Sequence, residues 1–235
     1  MKTLVLVAAE SREFGGLARR LERVRKLDWR LPYARLGEGF GCWWVMAANG
    51  AGPRLAAGAA DAVLEREKVV DAVISTGFCG ALDPALAVGD IVVGSRVMDP
   101  AGRRQFAARC PETVRPHSTG AVLSLDRVAV TPSEKAELRA AGASAVEMEA
   151  AAVAERAGKR GLPFYCVRAV SDAAADGFNI DFNSMRDAEG RFLRGRILRA
   201  ALRRPFTHVP ALRRLDKGCQ IAAEALGDFL AGCRF

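Results

Sequence analysis

Phe164-Tyr165-Cys166-Val167-Arg168-Ala169-Val170 is a short, mostly apolar run that halts at Ser171-Asp172. A run of this kind reads as a strand buried on both faces, which requires helices above and below the sheet. Residues 69–75 form a second such run. Lys2-Thr3-Leu4-Val5-Leu6-Val7-Ala8-Ala9 forms a third at the start of the chain, and Trp43-Trp44-Val45-Met46-Ala47 a fourth. Shorter strands are expected at 91–93, 121–125 and 128–130. Helical spacing is expected over 14–25, 53–68, 132–141 and 145–161, and a final amphipathic helix over 219–230. Residues 99–118 show no strong period and read as a surface excursion. Strands alternating with helices predict an α/β fold around a mostly buried central sheet. No repeat or low-complexity linker divides the chain, so residues 1–235 are read as one domain.

Composition sets the outer bounds. The 235 residues are 50% hydrophobic and 26% charged, which is globular and excludes wholesale disorder. No apolar run approaches the roughly 20 residues of a membrane-spanning helix. Charged residues follow Val7 at once, so no signal peptide is expected and a cytoplasmic location is. The net charge of +8 suits an anionic ligand, nucleic acid or lipid surface without choosing among them. Cys42, Cys79, Cys110, Cys166, Cys219 and Cys233 form no CxxC pair, and only His117 and His208 are available beside them. This argues against a zinc site and against a disulfide framework.

Several residues carry chemistry. Asp172 sits just past an apolar strand, where α/β proteins place ligand-handling groups, and a desolvated carboxyl there is a candidate general acid. The plainer alternative is a helix N-cap beside Ser171, which spacing alone favours. Glu147 and Glu149 flank Met148 at the start of the 145–161 helix, placed either to accept from a sugar diol or to form a solvated first turn. Glu13, after the first strand, is either a water-activating base or an exposed neighbour of Arg12. Thr76-Gly77-Phe78-Cys79-Gly80 reads as a glycine-bearing loop that lets backbone approach a ligand. It is no P-loop, and Asn49-Gly50-Ala51-Gly52 lacks the rest of a dinucleotide fingerprint.

Together these segments resemble the nucleoside phosphorylase and nucleosidase superfamily, especially the 5'-methylthioadenosine/S-adenosylhomocysteine nucleosidases and related bacterial nucleosidases. The resemblance is carried by Ser75-Thr76-Gly77-Phe78-Cys79-Gly80-Ala81-Leu82 with Val88-Gly89-Asp90-Ile91-Val92-Val93, by Ala145-Val146-Glu147-Met148-Glu149-Ala150, and by Val167-Arg168-Ala169-Val170-Ser171-Asp172. It runs from residue 1 to 182. It implies a three-layer nucleoside phosphorylase-like fold and hydrolysis of a purine nucleoside, adenine first, without metal or organic cofactor. Asp172 would protonate N7 of the departing base, with Ser171 positioning it. Met148 and Glu149 would hold the ribose, with Glu147 beside them. Glu13 would activate the attacking water. Phe78, Cys79 and Gly80 would line the pocket, and Phe182 matches an aromatic near the ligand. The base-contacting stretch 124–130 matches poorly, and neither Asp126 nor Val128 is assigned to the base. The family also implies a homo-oligomer, with a dimer as the default.

Two departures bear on substrate and nucleophile. Related phosphorylases carry an arginine and a serine for phosphate where this chain has Ser75 and Phe78, so water is the expected nucleophile. Arg12 and Arg54 are the alternative phosphate donors that keep phosphorolysis as the runner-up. Beyond Phe182 the segment 183–215 is longer than in the compact nucleosidases and basic, with Arg191, Arg194, Arg196, Arg199, Arg203 and Arg204 interleaved with Phe192, Ile197, Leu198 and Leu202, and with breaks at Pro205 and Pro210. It reads as an insertion or lid. Residues 191–204 also have the composition of an interfacial helix, similar to the branch acting on adenosylated hopanoid lipids. The plainer alternative is an arginine-rich surface helix. A non-catalytic basic protein on membranes or nucleic acid is the remaining reading. No stacking platform or nucleic-acid motif supports a specific nucleic-acid partner.

Overall fold

The first strand, β1 (Lys2–Ala8), is buried on both faces, so its alternating side chains feed two separate cores. Leu4, Leu6 and Ala8 join one cluster, and Val5 and Val7 join the other. β1 lies at the centre of the computed structural model, which describes residues 1–99, 104–178, 180–187 and 190–235. A 3-10 helix (Ser11–Phe14) and the short α1 (Gly15–Ala18) follow, then β2 (Glu22–Lys26), β3 (Tyr33–Gly39), β4 (Cys42–Ala48), α2 (Pro53–Arg66) and β5 (Ala72–Ala81). Next come β6 (Ile91–Met98), β7 (Gln105–Ala107), β8 (Ser118–Ser124), α3 (Pro132–Ala140), β9 (Ala145–Glu147), α4 (Ala150–Lys159) and β10 (Phe164–Asp172). The chain ends with a 3-10 turn (Asn183–Met185), α5 (Arg194–Arg203) and α6 (Pro205–Ala231).

The strands form one mixed sheet. β5 pairs in parallel with β1 and β10, and β1 continues through β4 and β3 to the edge strand β2. On the other side β5, β9, β8, β6 and β10 pair in turn and return to β5, so this half closes on itself. α2 and α4 cover the Val5 face through small residues such as Ala56, Ala60, Val153 and Ala157. α1 and α6 cover the opposite face through Leu17, Ala222, Leu226 and Phe229. The result is the expected α/β fold with helices on both faces of a buried mixed sheet.

Local expectations differ in instructive places. The helix expected over 14–25 ends at Ala18, and the chain turns into β2, a charged edge strand paired with β3. The spacing of Leu17, Leu21 and Val24 fits either outcome. Thr76 to Gly80 is not a loop: β5 runs through it because β10 continues the ladder to Gly80. Residues 128–130 form no strand. Val128 N–H and C=O are instead held by the Asn183 side chain, and Val130 N–H donates to Glu134. The 145–161 segment opens as β9, and α4 begins only at Ala150. The break expected at Pro205 is observed, since α5 ends at Arg203, and Pro205 then opens α6 at a first-turn position where no N–H is needed. Pro210 sits inside α6 on its exposed early turns, so the last helix is much longer than 219–230. The excursion at 99–118 contains β7, and its residues 100–103 lie outside the described residues.

Leu226 is fully buried between α6 and the sheet, whereas Leu198 on α5 is 62% exposed. Urea unfolding should show Leu226→Ala less stable by about 2–5 kcal/mol and Leu198→Ala within about 0.5 kcal/mol of wild type. Equal effects of the two would contradict the packing described.

Candidate active site

Three strand ends converge at one rim of the closed half-sheet. Parallel pairing sets Val170 opposite Cys79, and a bulge between Val170 and Asp172 then brings Asp172 opposite Gly80. β9 pairs with β5 at Gly80 and Val146, which carries Glu147, Met148 and Glu149 to the same place. α6 closes the end of β10 so tightly that a side-chain carbon at Gly218 would lie 2.2 Å from the Ser171 carbonyl oxygen. The convergence encloses a cavity of about 680 Å³, a size that suits a small organic ligand. Glu13, Phe78, Cys79, Gly80, Glu147, Met148, Glu149, Ser171, Asp172 and Phe182 all line it. Residues from five separate stretches of the chain thus face one space.

The electrostatics of that space depend on Arg168, which is fully buried in the middle of β10. Its guanidinium donates to the Ser75 hydroxyl at 2.6 Å and the Thr76 carbonyl at 3.1 Å. It pairs with Glu147 at 2.5 Å and lies 3.6 Å from Glu149. Burial is the largest single influence and would loosen its proton, but Glu147, Glu149 and Glu13 together outweigh it and hold the proton more tightly than usual. One cation therefore faces three buried acids, since Glu13 stands beside it as well.

The acids divide accordingly. Glu147 is the inner partner: besides Arg168 it accepts from Glu149 N–H at 2.8 Å and from Ala150 N–H at 2.9 Å, and so closes the first turn of α4. It is not in a solvated first turn. Glu149 accepts from Gly52 N–H at 2.9 Å, and burial followed by the charge of Glu147 pushes it up to about 8. Glu13 accepts from Glu10 N–H at 2.6 Å and Phe78 N–H at 2.8 Å, so it is not the exposed neighbour of Arg12. Burial raises it above the usual carboxylate range despite those two donors. Gly77 makes this approach feasible: its φ is +138°, and a side-chain carbon there would lie 2.3 Å from Glu13 Oε1.

Asp172 caps no helix. Its Oδ1 accepts from the Ser171 hydroxyl at 2.7 Å and its Oδ2 from the Lys135 ammonium at 2.5 Å. The outer wall is aromatic and basic: Phe178, Phe182 and Phe192 meet edge to face, and Arg191, Ile197 and Leu215 complete it from the basic segment. Of the candidate phosphate donors, Arg12 pairs with Glu10 and Asp216 and lies 5.6 Å from the Phe78 ring centroid. Asp126 points away to Arg186, while Val128 lines the cavity. The sequence reading gave no role to Arg168 or Lys135. A charge within an apolar strand was a usable signal for the first. The second left none, since α3 reads as a surface helix.

Comparison with known proteins follows the same pattern. A family model described as Phosphorylase superfamily matches residues 37–118 and 97–203. A 5'-methylthioadenosine/S-adenosylhomocysteine nucleosidase of Bacillus cytotoxicus is 27% identical over 204 residues, 71% of this chain and 88% of that one. The enzyme of the same name from Staphylococcus saprophyticus is 30% identical over 141 residues, but the match spans only 48% of this chain and 62% of that relative. The solved structure of the Neisseria meningitidis nucleosidase of that name, in complex with methylthio-immucillin-A, superposes with a TM-score of 0.74 at 24% identity. It covers 99% of this chain and 98% of the other.

Glu149 binds its proton more tightly in the folded chain than in the unfolded one. Its contribution to stability is therefore complete below the ordinary 4.5 and is lost as pH rises through about 8. Thermal midpoints should fall between about pH 5 and about pH 8.5 in wild type and fall less steeply in Glu149→Gln. Parallel curves would contradict the buried-acid assignment.

Proposed function

The chain belongs to the phosphorylase superfamily, and on that premise we propose that it is a nucleosidase that hydrolyses the N-ribosidic bond of a purine nucleoside, adenine first. The observation that carries this reading is the pair of poised carboxyls across one cavity: Asp172 with Ser171 on one side, and Glu13 with raised proton affinity on the other. The bond breaks through an oxocarbenium-like transition state, which needs a neutralised leaving group and a nearby nucleophile. Asp172 gives a proton to purine N7, and the C1′–N9 electron pair departs with the base. Glu13 takes a proton from water as its oxygen joins C1′. Glu149 and Met148 hold the ribose, while Glu147 keeps Arg168 and the start of α4 in place. Phe78, Cys79, Gly80 and Phe182 form the walls around base and sugar.

Water is favoured over phosphate because the cations near the cavity floor are already engaged. The Ser75 hydroxyl is bound to Arg168, Arg168 faces acids, and Arg12 pairs with carboxylates. A phosphate arriving at the floor would meet Glu13 and Glu149, with Arg168 and Arg12 already paired to acids.

A second reading concerns the 5′ side. Leu198, Leu202 and Phe206 are 62%, 71% and 94% exposed along α5 and the start of α6, beside Arg199 and Arg203. The inner side of the same segment lines the cavity at Phe192 and Ile197. An apolar, basic strip at the mouth suits a nucleoside carried on a lipid such as an adenosylated hopanoid, with the strip resting on an anionic membrane surface. The Arg194 side chain, within the same basic run, lies outside the described residues. Among those residues no helix is long and apolar enough to cross a membrane. A homodimer in the cytoplasm, acting on small molecules and on no specific nucleic acid, completes the proposal.

Chromatography of free base released from adenosine, inosine, methylthioadenosine and S-adenosylhomocysteine tests it. Adenine should appear at equal rates with and without phosphate, and Asp172→Asn should lower kcat by about 100-fold or more. Strict phosphate dependence would move the protein to the phosphorylases. Release from none of the four would leave only the lipid-linked substrate or the non-catalytic reading.

A further inference from the structure

Lys135 is the one buried residue of α3, at 1% exposure. Two costs oppose it there. Removing an ammonium from water costs several kcal/mol unless it is well paired. A positive charge in the first turn of a helix also opposes the helix dipole. α3 does not need it, because Thr131 caps the helix through Glu134 N–H at 3.1 Å and Pro132 occupies the first turn.

What Lys135 does reach is the acid. Its Nζ donates to Asp172 Oδ2 at 2.5 Å and to the Ala173 carbonyl at 2.7 Å, and lies 5.7 Å from the Phe178 ring centroid. The adjacent Glu134 is turned away, accepting from Val130 N–H and pairing with Arg127. Asp172 is thus the only carboxylate that Lys135 meets among the described residues. With Ser171 on Oδ1, both oxygens of Asp172 are held. Lys135 is not part of the cavity wall, so it touches the ligand only through Asp172.

We propose that Lys135 is the positioning residue of the acid: it fixes the Asp172 carboxyl at the cavity edge and supplies the proton that Asp172 passes to the leaving base. The proposal rests on the nucleosidase reading. One Nζ–H proton moves to Asp172 Oδ2, and the carboxyl gives one proton to purine N7. The C1′–N9 pair leaves with the base, which departs neutral. Water adds to C1′ and its proton goes to Glu13. Lys135 is left as a neutral amine beside the Asp172 carboxylate and regains a proton from solvent after the base leaves, while Glu13 releases one.

The test uses two leaving groups. A purine must be protonated to depart, whereas nitrophenolate from a nitrophenyl riboside leaves without that proton. Lys135→Met removes the charge and keeps the stem; Lys135→Gln removes the charge and keeps a donor to Asp172 and Ala173. Both should lose about 100-fold in kcat on the purine nucleoside with KM within about threefold, and should keep nitrophenyl riboside hydrolysis within about fivefold of wild type. That retained activity is also the control for folding. Equal losses on both substrates in both variants would reduce Lys135 to a structural pin and overturn the proposal. Unchanged purine turnover in either variant would overturn it as well. A wild-type protein that cleaves the nitrophenyl riboside but no purine nucleoside would instead sink the purine nucleosidase reading, and the proposal with it.

Discussion

One buried cation governs this site. Arg168 sits where water cannot solvate it, and it is tolerable there because Glu147 neutralises it and the Ser75 hydroxyl and Thr76 carbonyl accept from its two terminal nitrogens, which leaves its Nε without a partner among the described residues. Glu13 and Glu149 then share a charge that is already balanced, so burial raises the proton affinity of both. The raised affinity makes Glu13 a stronger base toward a water proton than an ordinary carboxylate. Replacing Arg168 by an apolar residue would leave several buried acids with no counter-charge, and folding as well as chemistry would suffer.

The fold supplies the geometry. Closing β5, β9, β8, β6 and β10 on themselves brings three strand ends, far apart in sequence, to one rim. A bulge in β10 re-aims Ser171 and Asp172 into the cavity. α3 stands behind Asp172 and contributes a lysine. α6 and the basic segment ahead of it contribute the outer wall. The buried carboxyls and the basic outer wall of the cavity thus come from different parts of the chain.

Much of this was legible in the residues. The apolar runs at β1, β4 and β10 announced a sheet buried on both faces, and the Met-Glu and Ser-Asp segments announced which strand ends mattered. What was illegible depended on long-range pairing. Thr76 to Gly80 looks like a loop until β10 is placed beside it. Residues 22–26 look helical until β3 offers an edge. Pro205 looks like a stop and is also a start, since α5 ends just before it and α6 begins on it. Glu147 reads as one of two equivalent carboxylates, and only the buried Arg168 distinguishes it from Glu149. Lys135 is the extreme case, because local sequence places it on a polar surface helix and only the tertiary fold turns it inward.

The central claim is that water, positioned by Glu13, ends up on the sugar. Turnover of a purine nucleoside in ¹⁸O-enriched water with phosphate present, followed by mass spectrometry of the sugar product, addresses it most directly. The account predicts a free sugar carrying one ¹⁸O at C1′ and no sugar phosphate. A ribose 1-phosphate lacking the label would contradict it.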